Sequence, residues 1–205
     1  MAVSPVAAEE AGAAAPGKIM KNVILVHGFN GIPKLYEWLK SELETRGIEV
    51  ILPSFPSGEN TTYENWAKVL DEYTSSISDD SLVVCHSVGN EFIIKYLAKN
   101  HQEVNTYIGL AGFAEVFKSE GRDVLNAVVE EFLVSDEEKQ LFIKLSKARY
   151  AIYSDDDHIV PFEVLAAFPE EINAKPILIP NIGHMGHKSG LEKLPALLDL
   201  ILAQK

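Results

Sequence analysis

Short apolar runs, rich in β-branched residues, recur along this chain and alternate with segments whose apolar residues have helical spacing. The runs cover residues 23–26, 49–52, 82–85, 106–110, 150–153 and 176–179. Runs with so little polar alternation are typical of strands that are buried on both faces of a sheet. Strand–helix–strand repetition also favours right-handed crossovers. The sequence therefore predicts a three-layer α/β structure, in which a mostly parallel sheet of about six strands has helices on both faces.

The segments between these runs predict the helices. Their apolar residues lie three and four positions apart, which places them on one face of a helix. The clearest sets are Leu39 with Leu43, Phe92 with Tyr96 and Leu97, and Leu194 with Leu197, Leu198 and Ile201.

Residues 113–147 make a long connection between two predicted strands. Two or three helices are expected there, forming a small insertion that acts as a minimal cap. Phe113, Phe117 and Phe132 either line an acyl pocket or pack in the core. The usual burial of aromatic side chains favours the core.

Residues 20–205 are predicted to form one domain, since a chain of 205 residues has the usual size for one. Residues 1–19 differ because Ala, Pro, Gly and Glu dominate them. They lack the basic start and the long apolar stretch of a secretory signal peptide. We expect a flexible leader outside the fold. It is either a segment added for expression of the protein or a tail that docks onto a partner.

The charge balance argues against several classes of partner. The chain has 30 acidic and 18 basic side chains and a formal charge of -12, which repels nucleic acid and anionic lipid. No apolar stretch approaches the roughly 18 residues of a membrane span. The single cysteine, Cys85, excludes an intramolecular disulfide and is compatible with the cytoplasm, the expected location.

Hydroxyl, carboxyl and imidazole groups follow the predicted strands at the points where the strands end. Ser87 follows the third strand, the acidic run Asp155-Asp156-Asp157 follows the fifth, and His184 follows the sixth. In parallel sheets of this kind, ligands and reactive groups gather at the carboxyl ends of the strands. The sequence therefore predicts a single site at this edge.

Ser87 lies in the segment His86-Ser87-Val88-Gly89, between a strand and a helix. A nucleophilic serine on such a sharp turn exposes its Oγ above the sheet, and the residues two before and two after it must be small. Gly89 meets this requirement, whereas Cys85 stands where the usual pattern has glycine. The alternative interpretation is an ordinary N-cap serine at the start of the helix.

Two backbone amides are candidates for binding an oxyanion. One belongs to Val88, directly after the nucleophile, and the other to Phe29, in the loop after the first strand. Gly28 permits the tight turn that would aim the Phe29 amide. His27 is expected to support this loop rather than to act in catalysis.

Chain order assigns the remaining roles. In hydrolases with such an elbow the order is serine, acid, histidine, which Ser87, Asp157 and His184 obey. Asp155 and Asp156 are rivals of Asp157 and would also suit a solvated turn, while His187 is the rival of His184. No spaced metal-ligand motif is present, so no metal is expected. Hydrolysis of an acyl-enzyme by water needs no cofactor, so none is expected. Cys85 is expected to be an inert packing residue.

Together these residues resemble the compact serine hydrolases typified by retinoblastoma-binding protein nine and its bacterial relatives. The resemblance covers residues 20–205 and includes the elbow at Ser87, the acid loop 154–161, Gly183-His184, and the tryptophans Trp38 and Trp66. It implies a nearly lidless α/β-hydrolase fold with a Ser–His–Asp triad. It also favours Asp157 over its neighbours, because the family's acid directly precedes a short run ending in proline. Two features depart from the family pattern. Cys85 stands in place of a glycine, and the loop after the first strand begins with His27-Gly28, which is more similar to mainstream esterases.

The predicted function is hydrolysis of an ester, thioester or amide of a small acyl substrate through an acyl-enzyme. Two alternatives use the same residues. In the first, the chain is a binding module that has a protein partner and makes little use of its triad. In the second, it is an acyltransferase. Covalent labelling of Ser87 separates an enzyme from a scaffold, and competing acceptors separate a hydrolase from a transferase.

Overall fold

Six parallel strands form one sheet in the computed structural model, which describes residues 20–117, 123–187 and 189–204. They are β1 (Asn22–Val26), β2 (Glu49–Ile51), β3 (Leu82–His86), β4 (Val104–Leu110), β5 (Ser146–Tyr153) and β6 (Lys175–Leu178). Their order across the sheet is β2-β1-β3-β4-β5-β6. Each strand lies on a predicted run. However, β5 begins at Ser146 rather than at residue 150. Its first half is polar and so gives no apolar signal in the sequence, but it pairs with β4 and is therefore part of the strand.

Seven α-helices accompany the strands within the described ranges. They are α1 (Lys34–Glu44), α2 (Tyr63–Asp71), α3 (Gly89–Asn100), α4 (Asp123–Phe132), α5 (Asp136–Leu145), α6 (Phe162–Glu171) and α7 (Pro195–Leu202). Helix α1 leads from β1 to β2, and α3 leads from β3 to β4 in the opposite direction across the sheet. Because such crossovers are right-handed, α1 and α3 lie on opposite faces. Helix α7 packs against α1, and α2, α4 and α5 pack against α3, which confirms the predicted layers.

The central strands are buried along their whole length. All five residues of β1 and all five of β3 are buried, as expected for strands that are covered on both faces. The parallel register pairs Val26 of β1 with Cys85 of β3, and Cys85 with Gly109 of β4. The carboxyl ends of these three strands therefore lie side by side and bring their following loops together.

The connection between β4 and β5 contains α4 and α5, in agreement with the predicted small helical insertion. Phe113, Phe117 and Phe132 are all buried. Phe132 packs against Trp66 with ring centroids 5.2 Å apart, and Phe113 packs against Phe117 at 4.9 Å. The core interpretation of these three aromatic residues is confirmed.

The predicted leader, residues 1–19, lies outside the described residues. Within the described ranges, none of the helices has both the length and the hydropathy that a bilayer crossing requires.

Candidate active site

Ser87 occupies a sharp turn between β3 and α3. Its φ angle is 53°, in the left-handed region that non-glycine residues seldom adopt. The helix begins at Gly89 with Val88 as its N-cap and has no side-chain cap. The interpretation of Ser87 as an ordinary N-cap residue is therefore wrong. A strained serine at the carboxyl end of a central strand is instead the geometry of a nucleophile elbow.

Hydrogen bonds from buried groups hold this turn in place. The Ser87 amide donates to the Leu110 carbonyl at 2.9 Å, and Asn90 Nδ2 donates to the Ser87 carbonyl at 2.7 Å. Asn90 is oriented in turn by the hydroxyl of Tyr107, 2.6 Å from its Oδ1. The cost of the strained φ is thus offset by contacts that require the strained conformation.

Two glycines allow the close packing around Ser87. A Cβ at Gly89 would lie 2.7 Å from the His27 carbonyl oxygen, and a Cβ at Gly28 would lie 2.9 Å from Nδ1 of His86 and 3.0 Å from Cβ of Ser87. Real Cβ atoms do not approach other atoms so closely, so both positions require glycine. Cys85 stays buried within β3, and burial raises the pKa of its thiol. Both observations agree with an inert packing role.

The structure brings together Ser87, His184 and Asp157 from three different loops. Oγ of Ser87 lies 3.1 Å from Nε2 of His184, and Nδ1 of His184 lies 2.7 Å from Oδ2 of Asp157. The three side chains form a continuous chain of hydrogen bonds, and its two ends, Ser87 and the Asp157 carboxyl, are both largely shielded from solvent. Such a chain can pass the hydroxyl proton of Ser87 to the imidazole.

The Asp157 carboxylate is held in its ionised form. Its other oxygen, Oδ1, accepts from the amides of Ile159 at 2.8 Å and Val160 at 3.0 Å. Burial alone would raise the pKa of Asp157. The hydrogen bond and the charge of His184, together with the two amides, outweigh burial and lower this pKa below its ordinary value. A charged Asp157 keeps the proton of His184 on Nδ1 and leaves Nε2 free to accept from Ser87.

The two rival aspartates have other partners. Asp156 Oδ1 accepts from the Gly183 amide at 2.7 Å and from the Ser154 hydroxyl at 2.6 Å. Asp155 Oδ1 accepts from the Asn181 amide at 3.0 Å. Both residues tie the acid loop to the segment that precedes His184. Of the three neighbouring aspartates, only Asp157 contacts the imidazole of His184.

The loop after β1 carries the predicted second amide donor. Within the described residues, the backbone amides of Phe29 and Val88 donate to no other group. His27 is fully buried in this loop. Its Nδ1 lies 2.7 Å from the Gly28 carbonyl oxygen, and its Nε2 accepts from the Phe55 amide at 2.9 Å. These partners support the loop and do not reach Ser87, as the sequence predicts.

The sequence pattern alone does not predict a role for His86, although its position directly before Ser87 is a signal. Nε2 of His86 lies 2.7 Å from the carbonyl oxygen of His184. The rings of His86 and His184 are tilted against each other with centroids 4.9 Å apart. His86 thus belongs to the immediate surroundings of the candidate base.

Glu91 is a second buried group for which the sequence pattern predicts no role. It lies in the first turn of α3 with no exposed surface, and its Oε1 accepts from the Phe113 amide at 3.2 Å. Oε2 has no hydrogen-bond partner among the described residues. Burial raises the pKa of Glu91 well above its ordinary value, so the carboxyl is expected to be uncharged. An acid among the apolar residues of a helix is the signal in the sequence.

A cavity of about 50 Å³ opens beside Ser87. Phe29, Leu125 and Ile159 supply apolar surface, and Asn30, His158, His187 and Ser189 supply polar groups. No Lys, Arg, Asp or Glu of the described residues lines it. Leu125 belongs to α4, so the helical insertion reaches the rim of this cavity. His187, the rival of His184, lines the cavity, whereas His184 is the histidine that contacts Ser87.

Among the described residues, no group of three or more His, Cys, Asp or Glu side chains is arranged to hold a metal ion.

Comparison with known proteins relates this chain to hydrolases. Residues 23–203 match the family model described as "Serine hydrolase". The chain is 25% identical over 187 residues to the putative hydrolase YdeN of Bacillus subtilis (strain 168), which covers 88% of this chain and 94% of YdeN. The crystal structure of that gene product superposes with a TM-score of 0.76 over 90% of this chain and 98% of its own.

Other solved structures share the fold at lower identity. Carboxylesterases of the archaeon Nitrososphaera gargenis provide a structure with a TM-score of 0.68 at 15% identity, covering 92% of both chains. These likenesses confirm the predicted α/β-hydrolase fold. The narrower resemblance to the retinoblastoma-binding protein nine type stays a prediction.

Proposed function

The chain belongs to the serine hydrolase family, and from this membership we propose that it hydrolyses esters of small, uncharged acyl groups through a Ser87–His184–Asp157 triad. The observation that carries the proposal is the pair of hydrogen bonds at His184, 3.1 Å to Ser87 Oγ and 2.7 Å to Asp157 Oδ2. A nucleophile, a base and an orienting acid within direct contact constitute the machinery of acyl transfer.

In the proposed mechanism, Ser87 Oγ attacks the acyl carbonyl while His184 Nε2 takes the hydroxyl proton. Asp157 stabilises the imidazolium that forms. The free amides of Phe29 and Val88 donate to the oxyanion of the tetrahedral intermediate. His184 then returns the proton to the leaving alcohol, and the acyl group stays on Ser87. Water, activated by His184, hydrolyses the acyl-enzyme and regenerates the hydroxyl.

The size of the cavity supports a small acyl group. A water-sized group needs about 10–15 Å³ of such space, so a cavity of about 50 Å³ holds only a few heavy atoms. The buried packing of Phe113, Phe117 and Phe132 in the core leaves them away from this cavity. These features favour acetyl to butyryl groups over long fatty acyl chains.

The charges around the site support an uncharged substrate. The described cavity lining offers no Lys or Arg that would pair with a carboxylate or phosphate on the substrate. The formal charge of -12 on the whole chain further disfavours the approach of an anion. An ester with a short aliphatic acyl chain meets both conditions.

A fluorescent fluorophosphonate tests the proposal, because it labels only an activated serine. We expect the parent protein to be labelled and to hydrolyse p-nitrophenyl acetate. Ser87→Ala and His184→Ala should lose both properties. Two matched controls should keep them: Ser41→Ala, on the exposed side of α1, and His101→Asn, at the left-handed C-cap of α3.

A folded parent protein that is neither labelled nor active on short esters would contradict the proposal, and a binding role would then be the better hypothesis. Addition of a competing alcohol or thiol distinguishes the transferase alternative. Hydrolysis predicts free acid as the main product, whereas transfer predicts a new ester or thioester.

A further inference from the structure

A hydrogen bond joins the strand that carries Ser87 to the loop that carries His184. His86 is the last residue of β3 and directly precedes Ser87. Its Nε2 lies 2.7 Å from the carbonyl oxygen of His184, a residue 98 positions further along the chain. The bond therefore links the residue directly before Ser87 to the backbone of His184, whose imidazole contacts Ser87 Oγ.

The protonation state of His86 is determined by its surroundings. Burial lowers the pKa of His86 to about 3, and the neighbouring His184 contributes to the decrease. The ring is therefore neutral at physiological pH and carries one proton. A carbonyl oxygen can only accept a hydrogen bond, so this proton is on Nε2.

Close backbone contacts hold the imidazole of His86 on two edges. A Cβ at Gly28 would lie 2.9 Å from Nδ1, and a Cβ at Gly186 would lie 3.1 Å from Cε1. The backbones of both loops thus approach the ring closely. A ring confined in this way presents its Nε2–H in one direction, toward the His184 carbonyl.

The backbone before His184 is held by other contacts. The Gly183 amide is bound by Asp156, and the Ile182 amide donates to Ser154 Oγ at 3.1 Å. These contacts hold the segment before His184. The carbonyl of His184 and the left-handed Met185 that follows it, with a φ angle of 58°, lie beyond them.

We propose that His86 is a positioning residue for the base: its Nε2–H holds the His184 backbone so that the imidazole of His184 stays within reach of Ser87 Oγ. The inference rests on the proposed function, and it adds a second support to the one that Asp157 provides. Asp157 orients the ring of His184, whereas His86 holds the backbone from which the ring extends. Because His86 is neutral, it adds no like charge when His184 becomes an imidazolium 4.9 Å away.

Two amide variants provide a matched test. The amide nitrogen of Gln reaches the position of Nε2, whereas the shorter side chain of Asn reaches only that of Nδ1. We expect His86→Asn to lower kcat for p-nitrophenyl acetate and the rate of fluorophosphonate labelling by about 100-fold, the effect of displacing a catalytic group by about 1 Å. KM should change little. His86→Gln should recover most of kcat at a similar melting temperature.

Histidine NMR of the parent protein tests the same inference without any variant. We expect His86 to be the Nε2–H tautomer and not to titrate between pH 5 and pH 9. A His86 ring that is protonated on Nδ1, or that titrates in this range, would overturn the inference. A folded His86→Asn protein with the kcat of the parent would also overturn the inference. The same holds if kcat of His86→Gln is as low as that of His86→Asn.

Failure of the proposed function gives a different result. In that case the parent protein shows no labelling and no ester hydrolysis, while the tautomer of His86 is still measured directly. A labelled parent with the wrong His86 tautomer rejects only the positioning role.

Discussion

Nδ1 of His27 lies 2.7 Å from the carbonyl oxygen of Gly28, and together with the Gly31 amide, which donates to the same oxygen at 3.2 Å, this contact orients the amide of Phe29. The Phe55 amide donates to Nε2, so the single proton of neutral His27 is on Nδ1. The Gly28 carbonyl and the Phe29 N–H belong to one planar peptide unit and point in opposite directions. A carbonyl that is bound to His27 therefore turns the Phe29 amide away from His27 and leaves it free to bind an oxyanion.

Replacement of His27 should weaken oxyanion binding without touching the triad. In His27→Leu the Gly28 carbonyl keeps only its hydrogen bond from the Gly31 amide, so the Gly28–Phe29 peptide is held less firmly and kcat should fall by up to about 100–1,000-fold, the cost of one oxyanion donor. Steady-state kinetics on p-nitrophenyl acetate measure the loss. Phe55→Leu keeps the backbone amide that faces His27 and is the control. Unchanged kcat in a folded His27→Leu protein would contradict the assigned geometry.

The acid loop offers a matched pair of aspartates. Asp157→Asn should lower kcat by about 10,000-fold, because an amide in place of the carboxylate favours the wrong tautomer of His184. Asp155→Asn keeps a carbonyl oxygen that can accept from the Asn181 amide and should stay within a few-fold of the parent protein. The comparison uses kcat at fixed pH. If Asp155→Asn lost more activity than Asp157→Asn, the assignment of Asp157 as the acid would be wrong.

Glu91 should make the stability of the fold decrease with rising pH. Its pKa is raised in the folded state, so its contribution is fully present below the unfolded pKa of about 4.3. The contribution is lost as the pH rises, by at most about 1.4 kcal/mol per pH unit. Glu91→Gln removes this dependence. The free energy of unfolding of the variant, minus that of the parent protein, should therefore increase between pH 5 and pH 8.

Urea unfolding at three pH values measures this difference. Glu72→Gln, an exposed substitution after α2, is the control and should follow the parent protein at every pH. Parallel stability curves for Glu91→Gln and the parent would show that the carboxyl is not held neutral.

The rim of the cavity should set the preferred acyl length. We expect the parent protein to prefer p-nitrophenyl acetate or butyrate to the octanoate ester, with a factor of about 10 or more in kcat/KM. Leu125→Ala removes apolar surface that α4 contributes to the cavity and should raise kcat/KM for the octanoate. Leu133→Ala changes an exposed leucine just beyond α4 that does not line the cavity, and should leave the preference unchanged. A parent protein that prefers octanoate would contradict the small acyl group.

Much of this architecture follows from local pattern. Each buried strand is marked by its own apolar run, because a strand that is covered on both faces tolerates few polar side chains. The same pattern predicts that the loops after β3, β5 and β6 meet at one edge, and so selects Ser87, the acidic run and His184. The polar first half of β5 escapes this signal, since pairing with β4 rather than apolarity makes it a strand.

The contacts within the site depend on the tertiary structure. Ser87 and His184 lie 97 positions apart in the chain and meet at 3.1 Å, and no local pattern encodes such a distance. The sequence by itself determined the order of the motifs along the chain, the strand that each motif follows, and the types of the reacting groups. Only the folded backbone decided which of three adjacent aspartates faces His184, and it turned Asp157 inward by binding its other oxygen to the amides of Ile159 and Val160. The physical reason is that residue type and spacing act locally, whereas a hydrogen bond requires two groups to be brought within about 3 Å by the packing of the whole domain.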